Sequence, residues 1–261
     1  MEDAMKILMI GHGAIGRHVG AALKGHVAQV LCRPGREAAA RADVGAPQAM
    51  STFDPQSGTI DLAIECAGHG ALLQHGPPIL AAGIDLIAVS AGALADPSAE
   101  AALREAARQG GGRLHLASGA AGAFDALRAA REGGLDDVLY RGRKPPAGWK
   151  GSPAESELNL DALRMPTVHF SGSARMAARL YPQNANVAAG IALAGIGLDR
   201  TRVELVADPS LTRNVHEISF RGAFGSATFE IQGNAIPGAP KSSALTAMSL
   251  IAEVRGRMPS G

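Results

Sequence analysis

The feature that most constrains the fold is a glycine-rich turn directly after a short apolar run near the amino terminus. Residues 6–10, Lys-Ile-Leu-Met-Ile, favour a buried strand, and Gly11-His-Gly13-Ala-Ile-Gly16 follows at once. In a dinucleotide-binding turn the first glycine makes the bend, the second admits a diphosphate to the backbone, and the third lets the next helix pack closely. The motif alone is weak evidence, but its place between a strand and an amphipathic helix predicts a dinucleotide-binding fold.

The predicted diphosphate site combines this turn with the start of the helix that follows it. A helix amino terminus carries free N–H groups and the positive end of the helix dipole, and both favour phosphate. The alternative is an ordinary glycine-rich turn that binds nothing. The predicted cofactor contacts here are Gly11, Gly13, Ala14, Ile15 and Gly16.

The end of the second predicted strand, at 27–31, bears on which cofactor is bound. An Asp or Glu usually follows this strand and binds the ribose of NAD. No acid lies between Gly25 and Arg36 here, and Cys32 and Arg33 stand in its place. Because a guanidinium can pair with a 2′-phosphate, we expect NAD or NADP as cofactor, with Arg33 as a contact. The alternative is that these arginines simply face water.

Composition excludes several classes of partner. The chain has 25 basic and 24 acidic residues among 261, a formal net charge of +1, and no long run of either sign. Such a chain is not expected to coat nucleic acid or a membrane surface, so small molecules are the expected partners. Its two cysteines, Cys32 and Cys66, lack metal-ligand spacing, and no signal-peptide pattern is evident. We therefore expect a cytoplasmic protein without a bound metal.

The residues after the glycine turn alternate between strand-like and helical stretches. This alternation predicts a parallel sheet with helices on both faces. The predicted strands lie at 60–65, 84–90 and 113–117, and the predicted helices lie at 71–82 and 97–109.

Small-residue turns follow the carboxyl ends of these strands, at 66–69, 90–93 and 118–122. In an open α/β sheet these ends face the ligand crevice, where backbone can approach a bound molecule closely. We therefore predict that Cys66 and Ala67 contact the cofactor. A plain tight turn is the alternative at each position.

A different pattern begins after Phe124. A helix is predicted to about Glu132, and period-two alternation over 201–207, 214–221 and 223–232 predicts antiparallel strands. A last helix, within 242–257, is expected to pack back on the first lobe. The predicted fold is therefore α/β, a Rossmann-type doubly wound parallel sheet plus a second α+β lobe with a largely antiparallel sheet. The dinucleotide-binding domain is predicted at 1–120 and 239–261, and the second domain at 121–238.

Among eight histidines, His216 is the strongest candidate for chemistry. Alternation places it on the same strand face as Ile218 and Phe220, which predicts a desolvated and therefore neutral imidazole. Such a group can take a proton from water or an amine near physiological pH. The alternative is a core histidine with a satisfied hydrogen bond. By the same alternation, His115 and His169 are predicted to be packed side chains.

Asn184 and Asn186 follow Tyr181-Pro-Gln183 and allow two interpretations. Either asparagine is a natural amino-terminal cap for the helix that follows. Alternatively, this helix terminus faces the nicotinamide, and an asparagine side chain bonds its carboxamide.

Five motifs, in this order, resemble those of the NAD(P)-dependent L-aspartate dehydrogenases, and the likeness runs nearly end to end. The first motif is shared by many dehydrogenases, whereas the later ones are specific. They lie at 11–16, 118–126, 182–189, 207–216 and 240–246.

The resemblance implies both site residues and a reaction. It implies a catalytic histidine at His216, cofactor contacts at Ala120 and Asn186, and a middle lobe that binds substrate and forms a homodimer. The implied reaction is reversible oxidation of L-aspartate to iminoaspartate, then hydrolysis to oxaloacetate and ammonia, which in some organisms feeds NAD biosynthesis. The alternatives are a dehydrogenase for another amino or hydroxy acid, or a non-enzymatic NAD(P) sensor.

A dicarboxylate substrate needs cationic or hydroxyl partners. The motif at 240–246 supplies the predicted substrate contacts Lys241, Ser242 and Ser243, and Arg143 and Lys144 are further candidates.

Overall fold

The computed structural model describes residues 5–182 and 186–258, and the side chains of residues 240 and 241 lie outside that description. The chain divides into two compact units. The first comprises the residues up to 117 together with those from 246 onward, and the second comprises 118–245. From the sequence the boundaries were placed after residue 120 and before residue 239.

An all-parallel sheet of six strands forms the centre of the first unit, in the order β3-β2-β1-β4-β5-β6. This is the strand order of a doubly wound dinucleotide-binding fold, whose ligand crevice lies between the first and fourth strands. The predicted Rossmann-type sheet is confirmed. The strands are β1 (Ile7–Ile10), β2 (Val27–Leu31), β3 (Gln48–Met50), β4 (Leu62–Glu65), β5 (Leu86–Ala88) and β6 (Leu114–Leu116).

Helices connect these strands, and both ends of α4 (Pro97–Gly110) have the local chemistry that starts and ends a helix. In α4, Asp96 accepts a hydrogen bond from the Ser98 N–H, Pro97 occupies the first turn, and Gly111 ends the helix at φ +82°. The short α2 and β3 were not predicted. The helices are α1 (Ala14–Ala22), α2 (Glu37–Val44), α3 (His69–Ala81), α4 (Pro97–Gly110) and the last helix of the chain, Ala244–Arg255.

A five-stranded sheet forms the centre of the second unit, in the order β11-β10-β7-β9-β8. Three of its four strand pairs are antiparallel and β7 with β9 is parallel, so the predicted largely antiparallel sheet is confirmed. The strands are β7 (Leu135–Lys144), β8 (Thr167–Ser173), β9 (Arg202–Ala207), β10 (Asn214–Gly222) and β11 (Gly225–Gly233), and a separate pair is formed by β12 (Ala235–Ile236) and β13 (Ala239–Ser243).

Among the described residues, four helices accompany this sheet, and two of them, α5 (Phe124–Glu132) and α8 (Asn186–Ala194), approach each other closely. A Cβ on Gly190 would stand 2.6 Å from the Phe124 ring, so glycine at this position lets α5 and α8 pack together. The other two are α6 (Ala154–Glu157) and α7 (Ala174–Leu180), and the last helix of the chain, Ala244–Arg255, is α9. None of the helices described in the structure has the length and apolar character that a membrane span requires.

Candidate active site

The turn after β1 has room for a diphosphate, and each glycine in it has a separate reason. Gly11 has φ +96°, and a Cβ there would stand 2.5 Å from the Ala67 Cβ. A Cβ on Gly16 would stand 2.6 Å from the Gly11 carbonyl oxygen, whereas a Cβ on Gly13 would meet no atom within 4 Å. Gly13 is the N-cap residue of α1 and offers no side chain to the helix N–H groups. The residues present therefore fit a phosphate ligand at this helix terminus.

The turn after β4 lies directly against the glycine turn. The Cys66 thiol donates to the carbonyl oxygens of Ile10, at 3.4 Å, and Gly11, at 3.6 Å. Burial raises the pKa of Cys66 far above its ordinary value, so the thiol stays protonated and lines the turn without acting as a nucleophile. The structure thus brings the predicted cofactor contacts Cys66 and Ala67 together with Gly11.

Glu65 holds this second turn in shape, and sequence reasoning missed it. Its buried carboxylate accepts the N–H groups of Ala67 and Gly68, both at 2.7 Å, and the Ser90 hydroxyl at 2.9 Å. These bonds fix the backbone where a cofactor would approach. In the sequence, the feature that could have indicated this role is an acidic residue at the end of an otherwise apolar strand.

The remaining predicted residues of the first unit lie at its surface or at the start of α1. Ala14 and Ile15 are the first two residues of α1 and are partly buried. Arg33 lies exposed after β2, and within the described residues it forms no ion pair. Its charge is therefore not engaged in a described ion pair, and the contact to a 2′-phosphate stays a prediction.

In the second unit, strand register places His216 beside a tyrosine and a glycine. His216 on β10 lies opposite Gly142 on β7, and Ile218 lies opposite Tyr140. The Tyr140 hydroxyl lies 2.8 Å from His216 Nδ1. A Cβ on Gly142 would stand 2.7 Å from that hydroxyl, so the phenol reaches the imidazole only because residue 142 is glycine.

His216 is 4% exposed, as the strand alternation predicted. Burial, with a contribution from the charge of Lys144, lowers its pKa to about 4, so the ring is neutral at pH 7. Burial also raises the pKa of Tyr140, which keeps the phenol protonated. The phenol can donate to Nδ1, which leaves the proton on Nε2, or it can accept from Nδ1–H, which frees the Nε2 lone pair. His216 can therefore act as a proton donor or as a base.

Lys144 lies two residues beyond Gly142 on the same face of β7, partly buried. Its Nζ stands 4.9 Å from the centre of the Trp149 ring, and burial lowers its pKa to about 8. Arg143 points to the opposite face, where it pairs with Asp208 and with Glu217, each at 2.6 Å. Of the two cations considered for substrate binding, Lys144 shares the face of His216 and Arg143 is engaged in ion pairs.

The other predicted residues of the second unit lie on separate elements. Ala120 is buried in the turn that opens the unit, and Asn186 is the first residue of α8. Asn184 lies outside the described residues.

The predicted substrate contacts are on β13. The Ser243 hydroxyl is buried without a hydrogen-bond partner among the described residues, as a ligand-binding group would be. Ser242 is partly buried, and the side chain of Lys241 lies outside the described part of the chain. All three residues belong to the same unit as His216.

Acid is expected to destabilise the second unit through His216. The pKa of His216 in the folded protein, about 4, lies below the ordinary 6.5. Between these two pH values the imidazole is therefore protonated in the unfolded chain and neutral in the folded chain. The free energy of unfolding should therefore fall as the pH drops from 6.5 toward 4, by roughly 2 kcal/mol at pH 5 from this residue. Urea unfolding followed by the fluorescence of Trp149, the chain's one tryptophan, measures it. His216→Gln should lose less stability than the parent protein between pH 7 and pH 5, and an equal loss would contradict this assignment.

Comparisons with known proteins agree with this arrangement. Residues 125–257 match the family model "Aspartate dehydrogenase, C-terminal", and residues 11–117 match "Homoserine dehydrogenase, NAD binding domain". The first unit is thus an NAD-binding domain.

Curated relatives match over nearly the whole chain. The L-aspartate dehydrogenase of Ruegeria pomeroyi is 54% identical over 98% of this chain and 93% of its own, and that of Pseudomonas aeruginosa is 46% identical over 95% of each. The crystal structure of aspartate dehydrogenase from Thermotoga maritima is 26% identical, with a TM-score of 0.77 over 99% of this chain and 100% of that one. The resemblance inferred from the sequence motifs is confirmed. The chain belongs to the aspartate dehydrogenase family.

Proposed function

We propose that the protein oxidises L-aspartate to iminoaspartate with NAD or NADP, that water converts the imine to oxaloacetate and ammonia, and that the reaction is reversible. The observation that carries this proposal is the 54% identity, over 98% of the chain, to a protein named L-aspartate dehydrogenase. A neutral, buried imidazole in the second unit supports it, because such a group can exchange protons with an amine or with water at neutral pH.

The chain's own residues have distinct tasks in this proposal. The glycine turn and the start of α1 bind the diphosphate, and the bound nicotinamide cofactor supplies the hydride acceptor. His216 Nε2 takes a proton from the substrate ammonium group, releases it to solvent, and then takes a second proton from the attacking water. In this role Tyr140 accepts from Nδ1–H and holds the imidazole in the tautomer whose Nε2 lone pair is free to take a proton. In the reverse direction the same nitrogen returns these protons.

Three further assignments belong to the proposal. The first unit with its closing helix is the dinucleotide-binding domain, and the second binds substrate. The second unit is also the proposed homodimer surface, since it exposes large apolar side chains, Met165, Val168, Met176 and Leu180 among them. A cytoplasmic location is supported by the two free thiols, Cys32 and Cys66.

A substrate panel tests the proposed activity. L-Aspartate, L-alanine, L-glutamate, L-homoserine and L-malate are each incubated with NAD and with NADP, and the absorbance of the reduced nicotinamide is followed. We expect L-aspartate to give the highest kcat/KM and both cofactors to be accepted. Turnover of another acid without L-aspartate would identify a different dehydrogenase, and cofactor binding without any turnover would identify a sensor. Either result would overturn the proposal.

A further inference from the structure

His169 occupies an irregular position on the edge strand β8. Its neighbours Val168 and Phe170 pair with consecutive residues of β9, so His169 is the extra residue of a β-bulge. Bulges re-aim a side chain relative to the regular strand alternation, and they are frequent beside active sites. The ring of His169 meets the buried Trp149 edge to face, with centroids 4.3 Å apart. The bulge thus turns this histidine toward the tryptophan that also contacts Lys144.

The hydrogen bonds of His169 leave one nitrogen without a partner. Its Nδ1 lies 3.2 Å from the Tyr181 hydroxyl, and its Nε2 is buried without a hydrogen-bond partner among the described residues. Burial raises the pKa of Tyr181, so the phenol keeps its proton and can donate it to Nδ1. In the tautomer that accepts this bond, the neutral imidazole carries its own proton on Nε2. That tautomer has a buried N–H group without an acceptor among the described residues, which is costly unless a ligand supplies one.

Lys144 adds a positive charge near His169. Burial, with a contribution from Lys144, lowers the pKa of His169 to about 4, and both causes also act on His216. The ammonium of Lys144 lies 4.9 Å from the centre of the Trp149 ring that His169 contacts, and with a pKa of about 8 it is mostly charged at pH 7. An N–H donor beside an ammonium group is the combination that binds a carboxylate.

The two histidines lie on one sheet with Lys144 between them. The sheet has the order β11-β10-β7-β9-β8, so His216 on β10 and His169 on the edge strand β8 are three strand intervals apart. At a strand spacing of roughly 4.8 Å their backbones lie about 14 Å apart, and Lys144 is on β7, one of the two strands between them. The side chains of His216, Lys144 and His169 must therefore reach toward one another to hold a small ligand, with its reacting carbon at His216 and its second polar group toward Lys144 and His169.

We propose that His169 Nε2–H and the Lys144 ammonium form the subsite for the side-chain carboxylate of a four-carbon amino dicarboxylate. His169 is then a residue that determines substrate specificity. This inference rests on the proposed function, because it names the part of the substrate that the site selects.

A binding experiment without turnover tests the subsite directly. Succinate, a four-carbon dicarboxylate without an amine, is titrated into the full-length protein in the presence of NADH, and the fluorescence of Trp149 is followed. We expect His169→Phe to weaken succinate binding by at least about tenfold, because it removes a hydrogen bond to a charged group. His169→Gln, which keeps an N–H donor on a shorter side chain, should retain most of the affinity. His115→Phe, a partly buried histidine of the first unit, is the matched control and should leave the affinity unchanged.

Steady-state kinetics then separate this role from a structural one. In His169→Phe we expect KM for L-aspartate to rise at least about tenfold with a smaller change in kcat, while kcat/KM for L-alanine and the affinity for NADH stay unchanged. Equal succinate affinity in the parent protein and His169→Phe would overturn the inference, and so would an equal loss with L-alanine. Specific succinate binding in a protein that does not oxidise L-aspartate would overturn the proposed function and leave the subsite standing.

Discussion

Replacing His216 with alanine is expected to lower kcat for L-aspartate oxidation by about 10²- to 10⁴-fold, the range in which general acid and base groups contribute. The imidazole is the proton acceptor of the proposed mechanism, and its pKa of about 4 keeps it neutral at pH 7. The predicted diphosphate contacts of the cofactor belong to the first unit. The dissociation constant of NADH should therefore stay within a few-fold of the parent value. Stopped-flow and steady-state rates, together with a fluorescence titration with NADH, measure the two effects separately.

Two further variants show whether the loss belongs to the imidazole. Tyr140→Phe removes the one described hydrogen bond of the His216 ring and should give an intermediate loss, about tenfold in kcat. His115→Ala removes a histidine of the first unit that lies 3.4 Å from Asp85, and it should leave kcat unchanged. Near-normal turnover in His216→Ala would remove this residue from the mechanism.

The parts of the fold that depend on local sequence could be predicted. The glycine turn works through residues close together in the chain, so its spacing between an apolar run and an amphipathic stretch indicated strand, turn and helix. The burial of His216 followed from strand alternation, because β10 pairs regularly with both of its neighbours from Val215 to Arg221. By contrast, the contact of Tyr140 with His216 joins residues 76 positions apart, and it depends on the register of β7 with β10. No pattern in the local sequence shows which residues of β7 and β10 lie opposite each other.

Three residues of the candidate site were missed or undervalued for identifiable reasons. His169 was predicted to be merely packed, since a bulge breaks the period of two on which that interpretation rested. In the sequence, Lys144 was one of several candidate cations for substrate binding. Only the structure shows that the neighbouring candidate, Arg143, is engaged in ion pairs with Asp208 and Glu217. Glu65 acts through backbone N–H groups of a turn, and sequence alone does not show which N–H groups lack partners.

Replacing Gly13 with valine is expected to weaken cofactor binding by about 100-fold without unfolding the protein. Gly13 has an extended backbone, at φ −70° and ψ −163°, and a Cβ there would meet no atom within 4 Å, so the fold can accept a larger residue. The same open space is where a diphosphate would approach the N–H groups of α1. Loss of two charge-assisted hydrogen bonds, at about 1.5 kcal/mol each, corresponds to roughly 100-fold in the dissociation constant. Calorimetric titration with NADH and NADPH measures it, and circular dichroism reports the fold.

Comparison with two other glycines separates ligand exclusion from damage to the fold. Gly16→Val should lose both binding and stability, because its Cβ would stand 2.6 Å from the Gly11 carbonyl oxygen. Gly133→Val, at an exposed position of the second unit with its nearest neighbour at 3.8 Å, should affect neither. If Gly13→Val bound both dinucleotides as tightly as the parent protein, the diphosphate could not lie against this turn. The helix terminus of α1 would then be an ordinary amino-terminal turn, and the cofactor contacts assigned to residues 11–16 would be wrong.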